Sequence, residues 1–302
     1  MNHFAIYTAV IGSYDEIQQP EVIDKRFDYI LFSDSIKEQI VGVWRIKRID
    51  YTNDDKIRIA RYVKTHSHTL LADYDATLWI DANIRIKEQR VYDIFIHMHE
   101  KGVDIASIKH FERDCIYDEA YELINLPWEH DTLAFRWCSK IRKEHYPRHN
   151  GLYETNILYR RQTDTIQEVN ELWWKCIEEY SRRDQLSFNY VLWRLNIAAD
   201  YFLPQGEQCR NSASVEFVRH TDNAQRKVMH LGYWENLRFI VRRESPEYNQ
   251  RYRRIYWHFY MLPYPLPLVW LYLSGLQCYI HLKYRKLRRK VGKILKRSLT
   301  NN

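Results

Sequence analysis

The first 110 residues of the chain alternate short apolar segments with polar turns. Continuous apolar runs, which are typical of buried strands, cover residues 4–12 and 27–33, and a shorter one covers 77–80. Weaker runs occur at 44–49 and 104–108. Because helical segments separate and follow these runs, the pattern predicts an α/β fold with a Rossmann-like, mainly parallel sheet flanked by helices.

Three segments show the spacing of amphipathic helices. The first extends from about residue 54 to 71. The second covers 166–180, where apolar residues recur at helical spacing, and Thr165 and Glu168 are expected to form a capping box at its start. The third helix is expected from residue 184 to about 198.

The last fifty residues have a different pattern. Residues 255–282 are rich in Trp, Tyr and Leu and contain three prolines, which makes a continuous helix from residue 255 unfavourable. In 283–299 one helical face is apolar and the other is almost wholly Lys and Arg. The apolar part, 268–282, is shorter than the roughly 20 residues that span a bilayer. The pattern favours an interfacial helix that binds an anionic membrane surface; a helix docked on the acidic body is the alternative.

Charge divides the chain at the same place. The net charge is +7, yet residues from 250 onward hold 12 Lys and Arg and no acidic residue, so the preceding part is mildly acidic. The positive charge does not cover the body, which argues against nucleic acid as a partner. We therefore predict a catalytic or binding domain at 1–249 and a basic, amphipathic, membrane-associating segment at 250–302.

Several common sites are not indicated. The five cysteines are odd in number, widely spaced and without a Cys-x-x-Cys pair, so neither a disulfide framework nor a zinc site is predicted. The chain has eight glycines and no Gly-x-Gly-x-x-Gly or Walker sequence. Its first apolar run lacks a basic flank and is interpreted as a strand, not as a signal peptide.

Two polar residues directly follow the run at 77–80. Asp81 and Asn83 carry short oxygen-bearing side chains two positions apart. Such side chains can converge in the crevice at the carboxyl end of a strand, where open α/β sheets bind ligands. Hard oxygen ligands suit Mg²⁺ or Mn²⁺, and such an ion would neutralise a diphosphate leaving group. Asp and Asn also form turns, so a structural role is the alternative.

A set of sequence blocks occurs in one order between residues 4 and 235. The blocks are 7–15, 28–34, 58–64 followed by 78–84, 110–120, 151–156 and 183–188. Together they resemble a GT-A-like glycosyltransferase family long catalogued as a domain of unknown function, with members in bacterial surface-polysaccharide loci and a plant member linked to seed mucilage. The resemblance implies a GT-A-like fold and transfer from a nucleotide sugar, by default a UDP-sugar, to a saccharide or lipid-linked saccharide in cell-surface polysaccharide synthesis.

The resemblance also assigns a donor site. The first strand end and the end of the second predicted strand would hold the nucleoside, and basic residues at helical spacing would face the diphosphate. The assigned residues are Thr8, Ala9, Val10, Tyr14, Asp34, Arg58, Arg61 and Lys64. A solvated helix face is the alternative for the three basic residues.

The remaining assignments concern the metal, the sugar and the acceptor. Asp81 and Asn83 would hold Mn²⁺ or Mg²⁺ with His230 as a third ligand, and Asn83 in place of a second Asp is expected to weaken metal binding. Asp184 and Gln185 would lie beside the donor sugar, although Asp184 could instead form a helix cap with Ser181. Glu154, in a predicted loop-to-strand turn, is the candidate base if the enzyme inverts. The site wall or acceptor contacts are assigned to His110, Arg113, Tyr117, Glu119 and Asn156.

The tail determines where this activity is expected. A transferase held on the cytoplasmic face of the cell membrane would meet lipid-linked acceptors there. A non-catalytic membrane-bound scaffold of a polysaccharide assembly is one alternative, and Asn83 favours it. A lipid amide hydrolase is another, suggested by ceramidase activity associated with a plant relative; the chain has neither Gly-x-Ser-x-Gly nor His-Glu-x-x-His.

Overall fold

The computed structural model describes residues 2–12, 16–126, 128–218, 232–244, 246–247, 249–250 and 266–299. The chain forms two compact units. The first consists of residues 1–119 and 146–226, and the second of 120–145 and 227–302. The predicted tail therefore lies in one unit with segments from the predicted 1–249 domain.

Ten strands and nine helices are described. The strands are β1 (Phe4–Val10), β2 (Phe27–Ser33), β3 (Ile40–Val41), β4 (Trp44–Arg48), β5 (Ala76–Ile80), β6 (Ile84–Ile86), β7 (Ile105–Lys109), β8 (Tyr153–Arg161), β9 (Asp200–Tyr201) and β10 (Val215–Phe217). The helices are α1 (Lys56–Thr65), α2 (Ser67–Leu70), α3 (Arg90–Glu100), α4 (Ile116–Asn125), α5 (Asp131–Lys143), α6 (Asp164–Glu179), α7 (Gln185–Arg194), α8 (Tyr233–Glu244) and α9 (Leu266–Leu299).

Eight of the described strands form one sheet in the order β3-β4-β2-β1-β5-β8-β7-β9. Only β3 and β8 run against their neighbours in this sheet, so the predicted α/β fold with a mainly parallel sheet is confirmed. From β1 the chain builds outward through β2 and β4, and then returns to place β5 on the other side of β1. This reversal makes the β1/β5 boundary a topological switch point, where ligands bind in such sheets.

The apolar runs form strands because both of their faces are covered. All seven residues of β1 and all five of β5 are buried. An aromatic cluster then holds α3 against the sheet: the Phe95 ring lies 5.0 Å from Phe4, 4.9 Å from Phe27 and 4.9 Å from Tyr159. Each of these rings contributes roughly 1.5–3 kcal/mol of burial free energy, so the cluster stabilises the packing of α3 on the sheet.

The predicted helix at 54–71 is interrupted. It forms as α1 and α2, separated at His66, whose backbone leaves the helical region (φ −114°, ψ 30°). The Thr65 hydroxyl donates to the carbonyl of Arg61 at 2.9 Å, and His66 Nδ1 lies 2.8 Å from the Tyr62 carbonyl. Side chains that hydrogen-bond to the preceding turn compete with the helical ladder, which explains the break.

The helix caps also differ from the prediction. Helix α6 begins after Thr163, whose hydroxyl accepts the N–H of Ile166 at 3.3 Å, so the capping box at Thr165 and Glu168 is wrong. Helix α7 follows Asp184, but the Asp184 side chain makes no cap hydrogen bond. Its carboxylate instead pairs with Arg61 and Lys64.

Strand β8 was not predicted. It lies between β5 and β7 and runs antiparallel to both. The loop-to-strand turn expected around Glu154 and Asn156 is therefore wrong, because both residues lie within β8. Helices α3, α4 and α5 were also not predicted.

The second unit contains α5, α8 and α9. Within it, Arg238 of α8 forms a buried ion pair with Asp131 of α5, and Trp270 of α9 lies 5.9 Å from the Phe135 ring. Helix α9 buries Trp270, Ser274 and Cys278, which recur every fourth residue and so share one face. Among the described residues, no helix has both the length and the apolarity that crossing a membrane requires.

Candidate active site

Asp81 lies at the carboxyl end of β5 in a tight turn. Its N–H donates to the Asn156 carbonyl at 2.8 Å, and its own carbonyl accepts the N–H of Ile84 at 2.8 Å. The indole N–H of Trp79 donates to Asp81 Oδ1 at 2.8 Å. No described residue hydrogen-bonds to the other carboxylate oxygen, Oδ2, and the side chain is 29% exposed. Asp81 is therefore held by one oxygen and offers the other.

A small cavity, with a volume of only about 10 Å³, opens beside Asp81. Its lining includes Thr8 and Val10 from β1 and Ile80 from β5, so it lies at the switch point. The Thr8 hydroxyl is buried and has no hydrogen-bond partner in the part of the chain that the structure describes. An unpaired buried hydroxyl is unfavourable, and here a bound ligand could satisfy it.

Lys64, in the last turn of α1, connects Asp81 to a buried ionic cluster. Its ammonium lies 2.6 Å from Asp184 Oδ2, 3.1 Å from Thr155 Oγ1 and 3.5 Å from Asp81 Oδ1. Thr155 also donates to Asp184 Oδ2 at 2.7 Å. The Lys64 side chain is only 1% exposed. Lys64 therefore does not face solvent, and it contacts Asp81 from within the protein.

The charges of this cluster support one another. Burial lowers the pKa of Lys64, while the negative charges of Asp184 and Asp81 act to raise it. Burial acts to raise the pKa of Asp184, but the charges of Arg61 and Lys64 and the hydrogen bonds from Lys64 and Thr155 hold that pKa below its ordinary value. Asp184 is therefore an ionised carboxylate at neutral pH.

The three basic residues of α1 that were predicted to face the diphosphate are used in two ways. Arg61 Nε lies 3.1 Å from Asp184 Oδ1, so Arg61 and Lys64 converge on one carboxylate. Arg58 instead donates to the carbonyls of Ile177 and Tyr180, at the C-terminal end of α6. Those carbonyls lack helical partners, and a guanidinium there stabilises the helix end. The cluster also explains why Asp184 does not cap α7.

Asn83 and Asn156 occupy different positions around Asp81. The Asn83 side chain donates to the Val218 carbonyl at 3.3 Å. Asn156, in β8, accepts the Asp81 N–H with its backbone carbonyl. The Asn156 Oδ1 atom is buried and, among the described residues, has no hydrogen-bond partner. Asn156 is thus joined to Asp81 through the backbone, a link that sequence spacing did not indicate.

The remaining donor-site residues are placed as follows. Ala9 and Val10 are buried in β1. Asp34, just beyond β2, accepts the N–H of Gly12 at 2.7 Å and the ammonium of Lys56 at 2.7 Å. Gly12 has φ +61°, which glycine adopts without strain, so Asp34 fixes the turn after β1. Tyr14 and His230 lie outside the described residues.

Glu154 is buried in β8 and paired with a residue that the sequence did not indicate. Arg210 donates to both of its carboxylate oxygens, at 3.0 and 3.2 Å. Burial raises the pKa of Glu154, while the charge of Arg210 and its hydrogen bonds act to lower it. The Arg210 guanidinium lies 5.0 Å from the rings of Phe111 and Phe217. Gln185 donates to the Tyr153 carbonyl at 3.3 Å.

The residues of the predicted site wall form a second polar cluster in the first unit. His110 Nδ1 accepts the N–H of Arg113 at 3.0 Å, and Arg113 Nε donates to Glu119 at 2.7 Å. Burial lowers the pKa of His110 to about 4, so its imidazole is neutral at pH 7. The Tyr117 hydroxyl donates to the Tyr146 carbonyl at 3.0 Å.

A mainly parallel sheet flanked by helices, with polar side chains gathered at the ends of β1 and β5, defines a glycosyltransferase-like α/β domain. The model of the TOD1/MUCI70, glycosyltransferase-like domain family matches residues 1–220, and the chain belongs to this family.

Two more distant likenesses are found. The chain is 19% identical over 211 residues to "Probable hexosyltransferase MUCI70" from Arabidopsis thaliana. That match covers 62% of this chain and 36% of the relative, so the chain spans only about a third of that protein's length. The crystal structure of core-mannan synthase A from Aspergillus fumigatus, in its Mn/GDP form, is similar with a TM-score of 0.38 and 11% identity, covering 64% of this chain and 70% of that one.

Proposed function

We propose that the protein is a glycosyltransferase that moves a sugar from a nucleotide sugar, with a UDP-sugar as the first candidate, to a saccharide or lipid-linked saccharide acceptor. One observation carries the proposal. Asp81, at the topological switch point, presents a carboxylate oxygen beside a cavity and is backed by a buried, ion-paired lysine. Family membership supports the same class of reaction.

A divalent cation, Mn²⁺ or Mg²⁺, fits the oxygen atoms beside Asp81. Asp81 would hold it, and Asn156 is the second candidate ligand, because its backbone carbonyl binds the Asp81 N–H and its buried Oδ1 lacks a described partner. Asn83 is a further candidate, although its amide nitrogen is already bound to Val218. Ions of this kind are held by one or two carboxylates together with substrate phosphates. When bound, the cation supplies charge neutralisation for the diphosphate.

The buried cluster would orient Asp81. Lys64 contacts Asp81 and is itself held by Asp184 and Thr155, so the carboxylate is placed before the donor binds. Charges that are fixed in advance stabilise a transition state without the cost of reorganisation. In this proposal Asp184 is a positioning residue, and Asp81 would hold the cation that neutralises the diphosphate, whereas the buried Lys64 makes no contact with the donor.

The transfer breaks the bond between the sugar's anomeric carbon and the diphosphate oxygen, which leaves with the electron pair. A new bond forms between that carbon and an acceptor hydroxyl, whose proton passes to a base. If the enzyme inverts, Glu154 is the candidate base, because burial raises its pKa. Arg210 must then release the carboxylate, and its 44% exposed side chain has room to move.

Donor hydrolysis tests this proposal. The full-length protein, incubated with a panel of UDP-, GDP- and dTDP-sugars and Mn²⁺, is expected to release nucleoside diphosphate slowly from one class of donor. Adding candidate acceptors should increase that rate. If no donor binds and none is hydrolysed, the proposal is wrong; binding without turnover under all conditions would favour the scaffold instead.

Thr8→Val tests whether the cavity binds the donor. Valine has the shape of threonine without the hydroxyl, and Thr8 Oγ1 has no described partner to lose. We therefore expect a Tm that is unchanged or higher, because an unpaired buried hydroxyl is removed, but a five- to tenfold weaker Kd for the nucleoside diphosphate, about 1 kcal/mol for one hydrogen bond. Calorimetric titration and thermal unfolding measure the two effects. A lower Tm with an unchanged Kd would assign Thr8 to packing alone.

We also propose that α9 lies on an anionic membrane surface. One face of this helix exposes apolar side chains that recur at helical spacing, namely Leu266, Val269, Tyr272, Leu273, Leu276, Ile280, Tyr284 and Leu287. This face is distinct from the face that buries Trp270, Ser274 and Cys278. Exposed lysines and arginines follow between residues 283 and 290. An apolar stripe beside basic residues supports interfacial binding.

Vesicle binding tests the membrane proposal. The protein should bind vesicles of equal phosphatidylglycerol and phosphatidylcholine, bind pure phosphatidylcholine weakly, and release as salt increases, because each well-placed basic residue contributes about 1 kcal/mol. Ile280→Glu is expected to weaken binding at least tenfold. Gln277→Glu adds the same charge at an exposed polar position and should have a much smaller effect. Equal losses in both variants would argue against an inserted apolar face.

A further inference from the structure

A second group of possible metal ligands lies in the first unit and includes none of the residues assigned to the proposed reaction. One ligand atom from each of Cys115, Asp118 and His149 lies within 4.8 Å of the others. Cys115 directly precedes α4 and Asp118 is in its first turn, so their spacing of three places them on one side of the helix. His149 comes from the segment before β8.

The backbone and the hydrogen bonds of His149 favour a ligand role. Its φ is +53°, a left-handed conformation that histidine adopts more often than most residues other than glycine. Its Nδ1 lies 2.8 Å from Asp114 Oδ1. A carboxylate in this position fixes the ring orientation and leaves a lone pair on Nε2, as it does for metal-bound histidines. The loop thus holds an oriented imidazole near a buried thiol.

The three ligand types specify the kind of ion. A thiolate and an imidazole are softer ligands than the oxygens around Asp81, and together with a carboxylate they suit Zn²⁺ better than Mg²⁺ or Mn²⁺. Zinc bonds to such atoms at about 2.0–2.3 Å, so the three atoms must draw together. His149 is 56% exposed on its side chain and can make that approach. The fourth position would be filled by water.

We propose that Cys115, Asp118 and His149 bind a zinc-type divalent ion, with Asp114 orienting His149. Binding converts the Cys115 thiol to a thiolate and releases its proton to solvent. The ion would join the start of α4 to the segment entering β8, the strand that carries Glu154 and Asn156. Only Cys115 and Asp118 are close in sequence, which is why cysteine spacing gave no indication of this site.

Metal titration of the full-length protein, purified and then freed of any histidine tag, tests the proposal. After chelator treatment, Co²⁺ should produce a thiolate-to-cobalt charge-transfer absorption, and one equivalent of Zn²⁺ should abolish it. Cys115→Ala should remove the absorption. His149→Asn, which retains a residue suited to the left-handed conformation, should weaken Zn²⁺ binding at least tenfold while leaving Tm unchanged in the absence of metal.

Two controls identify the site. Cys176→Ala removes another buried free cysteine and should leave the absorption unchanged. Asp81→Asn should also leave it unchanged, which separates this ion from the one proposed for the donor. An absorption that persists in Cys115→Ala, or a zinc affinity unaffected by His149→Asn, would overturn the proposal. Neither result depends on whether the protein transfers sugar.

Discussion

Asp81→Asn should lower the rate of donor hydrolysis by a factor of 10² to 10³. The substitution keeps an oxygen that can accept the Trp79 indole N–H, so the turn after β5 should be retained. It removes the negative charge beside the cavity and one of the two carboxylates near Lys64. Losing a fixed group that stabilises charge in the transition state typically has an effect of this size.

A matched control lies at the other end of the same strand. Asp75 directly precedes β5, and its carboxylate accepts the N–H of His3 at 2.6 Å. Asp75→Asn makes the same chemical change at the amino end of the sheet, away from the switch point, and should leave turnover within twofold of the wild type. If Asp81→Asn and Asp75→Asn hydrolysed donor equally well, Asp81 would have no part in the reaction.

Metal dependence gives an independent measurement on the same variant. If Asp81 and Asn156 hold the cation, Asp81→Asn should raise the Mn²⁺ concentration needed for half-maximal nucleotide binding at least tenfold. Asn156→Ala should do so to a smaller degree, since a carbonyl oxygen carries no net charge. Unchanged Mn²⁺ dependence in both variants would place the cation elsewhere.

The parts of the fold that were predictable are those where local pattern and burial agree. Strands β1, β2 and β5 are continuous apolar runs because the structure buries both of their faces, and their bounds nearly match the prediction. Strand β8 begins with polar residues that belong to the candidate site, so its first half has no strand-like pattern. The switch point follows from strand order, which no local pattern contains.

The residues of the candidate site also fall into those that local sequence indicated and those that it did not. Asp81 was found because it follows an apolar run at the strand end. The Lys64 environment was not, because a lysine near a helix end is normally solvated and its partner Asp184 is 120 residues away in sequence. Arg210 is another such case, since nothing around it in the sequence points to Glu154. Side chains whose partners are distant in sequence are where local reasoning fails.

Lys64→Met should reduce the free energy of unfolding by about 3 kcal/mol, because among the described residues it leaves the buried Asp184 carboxylate with only Arg61 as a charged partner. Lys175→Met is the matched control: Lys175 is 68% exposed and lies 4.0 Å from Glu179, so this change should cost less than 0.5 kcal/mol. Denaturant unfolding of both variants measures the difference. Equal stabilities would mean that the Lys64 cluster contributes no more than a surface ion pair.

The double variant Lys64→Met/Asp184→Asn separates stability from function. Asp184→Asn removes the unpaired charge, so the double variant should be at least 1 kcal/mol more stable than the two single losses predict, yet donor hydrolysis should not recover because the contact of Lys64 with Asp81 is still missing. The pKa of Asp184 is depressed in the folded state, so its stabilisation is present above about pH 4 and is lost as pH falls further. The stability difference between wild type and Asp184→Asn should therefore shrink below pH 4. Recovery of activity together with stability would show that the cluster only holds the fold together and does not position Asp81.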